Sequence, residues 1–254
     1  MKVPSILEAL LNHWAVPFEA LPTGAAEQSD YLVPLGRSRF LIEEKTKFDD
    51  LAEESQCAQR LETEGRSLVV KPFVRRNRLS AIVNKAASQL ESSGTNYPHD
   101  FRLVWFNGTG PYAKAHVAQF VAGLYGKVGV TGLRLTARVP CYFFGHSDFF
   151  NNSNRLDGAV TVHPVESGVV AWLCLNPLSP RFDGLRRTKF ARLFGANVEN
   201  PLIEERKQRA FIVSSDTDRR LEGALLAEVE RKYKTGHLMV FHVGLHHLSV
   251  RVNE

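Results

Sequence analysis

The chain has 254 residues, 44% apolar and 23% charged, enough to build a sizeable core as one large domain or two small ones. Its 32 Lys and Arg outnumber its 27 Asp and Glu, and the resulting charge of +5 tolerates a polyanion without demanding one. Three scattered cysteines, Cys57, Cys141 and Cys174, argue against a disulfide framework and against a zinc site, and they suit a reducing compartment.

The opening MKVPSILEALLNHW is short, and Glu8, Asn12 and His13 interrupt it, so it does not read as a signal peptide. No stretch approaches the roughly 18 apolar residues of a membrane span. The expectation is a soluble, cytoplasmic protein with no membrane partner. Pro4-Ser5 opens a helix with Ile6, Leu7, Leu10, Leu11 and Trp14 at helical spacing, and Pro17 stops it.

After a Gly-Ala loop comes SDYLVPLGRSRFLIEEK, residues 29–45, in which two apolar runs flank Gly36-Arg37. Gly at the first central position predicts a two-residue type II′ hairpin turn. Leu35 then pairs with Ser38, and counting back sets Asp30 opposite Glu43. Glu43 and Lys45, two apart, share a strand face. Carboxylates directly opposite each other repel, so a fold keeps such a pair cheaply only around a cation. Hard oxygen ligands suit Mg²⁺ (or Mn²⁺), which keeps several waters for a phosphate substrate. Lys45 would orient a water or neutralise charge growing on phosphate oxygens.

Phe48 to Glu64 is polar with helical character, and Leu68-Val69-Val70 reads as a short strand closed by Pro72. Arg78 to Glu91 is a helix with an apolar stripe of Leu79, Ile82, Val83, Ala86, Ala87 and Leu90, and Lys85 and Gln89 share another face. Asp100 to Asn107 is a buried strand, Tyr112 to Tyr125 a helix ended by Gly126, and Leu133 to Phe144 a strand bent at Pro140. This order predicts an α/β fold, a mixed central sheet flanked by helices. Asp148 and Asp157 bracket a polar loop that reads as a flap. Ala159–Val162 and Val169–Leu175 form a hairpin turning at Glu166-Ser167-Gly168. A basic helical segment at Arg181–Phe194, a short strand at Ala210–Val213 and a helix at Asp216–Lys232 come next. Final strands at Leu238–Val243 and Leu248–Val252 flank a turn at His246-His247.

Two basic clusters suit phosphate contact. The first is Lys71, Arg75, Arg76 and Arg78; the second is Arg181, Arg186, Arg187, Lys189 and Arg192. The crowded histidines 237, 242, 246 and 247 lack Cys or acidic partners at ligand spacing and read as structural. No nucleophile elbow and no Walker-type phosphate loop is present in the sequence.

Asp30, twelve intervening residues and then Glu43-Glu44-Lys45 resemble the motif of the PD-(D/E)XK nuclease superfamily. Ser29 stands where that pattern often carries proline, which many members lack. The likeness covers about the first half of the chain. It implies a restriction-endonuclease-like core over residues 1–150 and a C-terminal α+β extension over 151–254 packed on it, or one continuous domain. It also implies a Mg²⁺- or Mn²⁺-dependent nuclease hydrolysing phosphodiester bonds, with DNA as partner ahead of RNA, and it is compatible with a homodimer. Asp30 and Glu43, helped by the backbone carbonyl of Glu44, would hold the metal. Lys45 and Gln89 would complete the catalytic set, and Glu8 on the first helix is a further candidate. Lys71, Arg75, Arg76, Arg78, Arg186, Arg187 and Lys189 would bind nucleic acid. The alternatives are a catalytically silent member of the same fold that binds nucleic acid or protein, and an unrelated α/β protein whose hairpin acids are solvated.

Overall fold

A computed structural model describes residues 4–22, 29–48, 51–72, 77–241 and 244–250. The first half of the chain runs α1 (Ile6–His13), β1 (Glu19–Ala20), β2 (Tyr31–Leu35), β3 (Ser38–Lys47), α2 (Leu51–Glu64), β4 (Arg66–Pro72), α3 (Asn77–Ser93), β5 (Phe101–Gly108), α4 (Ala113–Tyr125), β6 (Val128–Gly132) and β7 (Val139–Tyr142). The second half runs α5 (Asp148–Asn151), β8 (Gly158–Val165), β9 (Gly168–Leu175), α6 (Phe182–Leu185), α7 (Lys189–Leu193), β10 (Val198–Glu199), α8 (Pro201–Arg206), β11 (Phe211–Ile212), α9 (Glu222–Tyr233), β12 (Leu238–Phe241) and β13 (Gly244–Val250).

Among the described residues, seven strands form a mixed sheet in the order β1-β2-β3-β5-β8-β9-β10. Strands β3, β5 and β8 run parallel at its centre, and the β2–β3 and β8–β9 hairpins are antiparallel. A second sheet has the order β11-β7-β6-β12, and β4 pairs with β13. The fold is therefore α/β, with a mixed sheet flanked by helices.

Side-chain alternation builds the two layers. On one face, Leu41, Val104, Phe106 and Ala159 pack with Val83, Leu90, Phe120 and Leu124 of α3 and α4. On the other, Phe40, Ile42, Leu103, Trp105 and Val160 pack with Leu7 and Leu11 of α1 and with Leu185 and Phe190 from α6 and α7. A third cluster joins the second sheet to α9 through Val130, Cys141, Leu225 and Val229.

Gly36 has φ of 69°, and Arg37 is not among the residues with positive φ. That is the type II′ pattern expected from the sequence. A Cβ at Gly36 would also press on the Lys189 side chain, 3.2 Å away.

Several expectations give way to the structure. Leu133–Arg138 is a reversal between β6 and β7, closed by Leu135 N–H donating to the Gly132 carbonyl at 3.0 Å, so only Val139–Tyr142 of the expected strand is extended, and it pairs antiparallel with β6, which lies before that strand. The basic segment splits into α6 and α7 because Thr188 caps a new helix, its hydroxyl accepting from Ala191 N–H. Helix α9 starts at Glu222, after a turn in which Arg220 folds back onto Asp218. His246 and His247 lie within β13, paired with Val70 and Val69 of β4, and form no turn. The expected flap at 149–156 is packed down: Phe149 and Leu156 are fully buried, and Asp148 accepts from the Ser80 hydroxyl at 2.9 Å.

Both sheets draw strands from either side of residue 150. Strands β8, β9 and β10 complete the sheet that β2, β3 and β5 begin, and β11 and β12 complete the sheet of β6 and β7.

The sheet's central packing is directly testable. Phe106 is fully buried and stacks on Phe120 with ring centroids 4.1 Å apart. Phe106→Ala should lower unfolding free energy by about 3–5 kcal/mol in urea denaturation. A loss under about 1 kcal/mol would contradict this packing.

Candidate active site

The β2–β3 ladder opens with Tyr31 opposite Ile42, and one further step sets Asp30 opposite Glu43. There the ladder changes character: Glu44 N–H donates to the Asp30 carboxylate at 2.8 Å instead of to a backbone carbonyl. Asp30 is pinned from two more directions. Its carbonyl accepts from Leu21 N–H at 2.8 Å, and the preceding Ser29 N–H donates to the Ser93 hydroxyl at 2.6 Å. Proline at position 29 would have no N–H to give Ser93. The departure from the superfamily pattern therefore has its own structural use here.

Glu43 lies on the α3–α4 face of β3 and its side chain is 1% exposed. The Lys45 ammonium, two residues on and on the same face, donates to Glu43 Oε1 and also to Gln89 Oε1 at 3.0 Å. Gln89 and Ser93 are i, i+4 neighbours on α3, so one helix stripe clamps both arms of the site. The other Glu43 oxygen, Oε2, is shielded from solvent and has no hydrogen-bond partner among the described residues. Burial lifts the Glu43 carboxyl to about 7; the hydrogen bond and charge of Lys45 and a backbone hydrogen bond from Asp30 oppose the rise, while the Asp30 charge adds to it.

The structure thus brings Asp30, Glu43, Lys45 and Gln89 together. The Glu44 side chain leaves by the opposite face, where Oε1 accepts from Leu7 N–H at 3.2 Å and Asn107 Nδ2 at 2.7 Å. A strand residue's N–H and C=O point the same way, so the Glu44 carbonyl shares the Asp30 edge. Glu8 does not join the set. Its carboxylate caps its own helix through Ser5 N–H and accepts from the Tyr31 hydroxyl at 3.1 Å, in the α1 layer behind the sheet.

The basic residues are placed unevenly. Arg78 is exposed on the first turn of α3, and Arg78, Ile82, Lys85 and Gln89 recur at helical spacing along one stripe. Lys71 lies in β4, and Arg75 and Arg76 fall outside the described residues. Arg186, Arg187 and Lys189 belong to the α6–α7 layer, across the sheet from Glu43, because Leu185 and Phe190 anchor that segment to the other core. Arg186 is paired with Asp183 and Arg181 with the buried Asp157. The second cluster therefore does not flank the Asp30–Glu43 face.

Among the described residues no group of three His, Cys, Asp or Glu gathers around a common point. The site offers two carboxylates and a directed carbonyl. The buried oxygen of Glu43 without a partner is the observation that fits a cation, since a buried acceptor left unmade costs about 1–3 kcal/mol or more. Mg²⁺ uses one or two protein carboxylates and leaves the remaining positions to water and phosphate oxygens, so this donor set suits it. Sequence reasoning passed over Ser93. Its spacing from Gln89 was the available signal.

No family model, curated protein or solved structure matches the chain. Among the described residues no helix is long and apolar enough to cross a membrane.

A pH titration of stability tests this environment. The folded Glu43 carboxyl sits near 7 against an ordinary value of 4.5, so the folded state holds the extra proton between them. In EDTA, stability should fall as pH rises from about 4.5 through about 7. Glu43→Gln should remove that slope. An unchanged slope in Glu43→Gln would assign it to another group.

Proposed function

We propose that this protein is a metal-dependent nuclease that hydrolyses phosphodiester bonds of DNA by a PD-(D/E)XK-type mechanism. The observation that carries the reading is the buried Glu43 carboxylate, held by Lys45, opposite Asp30 and with one oxygen that has no hydrogen-bond partner among the described residues. Asp30, Glu43 and the Glu44 carbonyl would hold Mg²⁺ or Mn²⁺, which when bound supplies Lewis-acid stabilisation of a phosphate.

The remaining roles fall to the chain's own groups. Gln89 and Glu43 fix the Lys45 ammonium over the site. From there it would orient the attacking water or neutralise charge on the phosphate oxygens. The Arg78–Lys85 stripe of α3 would guide a phosphate backbone toward Gln89. DNA is proposed ahead of RNA on the likeness of the motif.

The test is cleavage of plasmid, linear and single-stranded DNA with Mg²⁺, Mn²⁺ or EDTA. Wild type should cut only with metal. Lys45→Ala should lose about 10²–10³ in rate, roughly 2.7–4 kcal/mol of barrier. Asp30→Asn and Glu43→Gln should weaken metal binding while DNA still binds. Glu44→Gln should keep cleavage, because its side chain serves the α1 layer. Metal-independent cutting, or loss in Glu44→Gln with Glu43→Gln intact, would contradict the assignment. DNA binding without cutting under every condition would favour the catalytically silent reading. Arg78→Ala should weaken DNA binding at all sequences and reduce the log–log salt slope by about one; no change at either low or high salt would return Arg78 to solvated surface.

A further inference from the structure

A cavity of about 560 Å³ runs along α4 and is bounded by residues of β6, β8, β9 and β12. Its volume lies in the range of small-molecule sites, and such sites combine apolar walls with a few placed polar groups. Val117, Val121 and Ala122 of α4 form the apolar wall, and Trp172 and Phe241 stand at its other sides. Both aromatic side chains are exposed, at 37% and 53%, although each is large enough to be worth burying.

The cavity floor carries polar groups with no visible use. Thr161 is fully buried on β8, and its hydroxyl has no hydrogen-bond partner among the described residues. His163 Nδ1, two residues along on the same strand face, is also shielded and unpartnered. Thr161 is directly cross-strand from Trp172, so an indole face stands beside an unused hydroxyl. Burial and the nearby Lys114 charge lower the His163 value, which keeps a neutral imidazole able to donate or accept.

Cations mark the rim. Lys127 is neutralised by Glu199 at 2.6 Å. Lys114 and Arg138 line the same cavity and have no carboxylate partner among the described residues. The Arg138 stem lies flat across Gly129, where any Cβ would meet its Cδ at 2.6 Å. Glycine there is what lets the guanidinium reach the cavity edge.

We propose that this cavity is a nucleotide site, with the base stacked on Trp172 and hydrogen-bonded by Thr161 and His163, and the phosphate held by Lys114 and Arg138. An apolar slot with one aromatic platform, edge-reading groups and cations that have no partner among the described residues matches a planar heterocycle bearing an anion better than it matches an aliphatic or cationic ligand. The site is separate from the Asp30–Glu43 pair and does not depend on cleavage. Thr161 is nonetheless laddered to Phe106, and Phe106 to Lys45, so the two sites sit at one level of one sheet face, about 10 Å apart in backbone spacing.

Calorimetry on the full chain in EDTA tests the proposal, with deoxynucleoside monophosphates, the parent nucleosides, inorganic phosphate and a short single-stranded oligonucleotide as probes. A monophosphate should bind about tenfold or more tightly than its nucleoside or phosphate alone. Arg138→Ala and Trp172→Ala alter exposed side chains, and each should weaken that binding by about tenfold. Glu43→Gln should leave it unchanged. An oligonucleotide that binds more tightly and is lost in the same variants would identify an unpaired nucleotide of a strand as occupant; binding of the monophosphate alone would identify a free nucleotide. No binding by any nucleotide, equal binding of phosphate alone, or affinity untouched in folded Arg138→Ala and Trp172→Ala would overturn the proposal.

Discussion

A carboxylate at the centre of a packed sheet face must be neutralised, and Glu43 is neutralised only in part. Its side chain is almost wholly removed from water. Lys45 satisfies one of its oxygens, while Asp30 adds like charge from the neighbouring strand. Desolvating a carboxylate is costly unless opposite charge and hydrogen bonds compensate. The ladder, the α3 stripe and the layer contacts around β3 all hold this uncompensated group in place. A hydrophobic residue of similar size would fill the position at lower cost.

Strand β3 does this positioning because its residues alternate between two cores. Leu41 and Glu43 face α3 and α4, whereas Phe40, Ile42 and Glu44 face the α1 layer. Parallel pairing to β5 over eight residues makes β3 a central strand and fixes its height relative to α3. Helix α3 then closes the site with two side chains one turn apart, Gln89 on Lys45 and Ser93 on the backbone before Asp30. The Asp30 carboxylate takes over a backbone hydrogen bond at the point where the ladder stops. The acid is thereby oriented by the same strand that carries its partner.

The hairpin was legible because a type II′ turn at Gly36-Arg37 sets register by counting, and register sets faces. Gln89 was singled out by the likeness of the motif, helical spacing showing only that it shares a face with Lys85, and it accepts from Lys45. Glu8 was misplaced because helix periodicity does not say on which side of the sheet a helix packs; its own cap and Tyr31 claim the carboxylate. The placement of the second basic cluster across the sheet was not legible for the same reason, since Phe190 and Leu185 decide its layer through long-range contacts. The histidine turn failed, and the strand pairing across residue 150 was not legible, because β11, β12 and β13 pair with strands distant in sequence, which no local pattern encodes. The α4 cavity was invisible for a related reason: α4 and the 126–129 segment supply one side, but Arg138, Thr161, His163, Trp172, Glu199 and Phe241 come from segments distant in sequence.

The central claim is that one divalent ion is shared by Asp30 and Glu43. Anomalous diffraction from crystals equilibrated with Mn²⁺ measures this directly. A peak within coordination distance of both carboxylates, lost in Glu43→Gln, is the expected result. A peak elsewhere, or Asp30 and Glu43 turned apart around an empty position at saturating Mn²⁺, would contradict it.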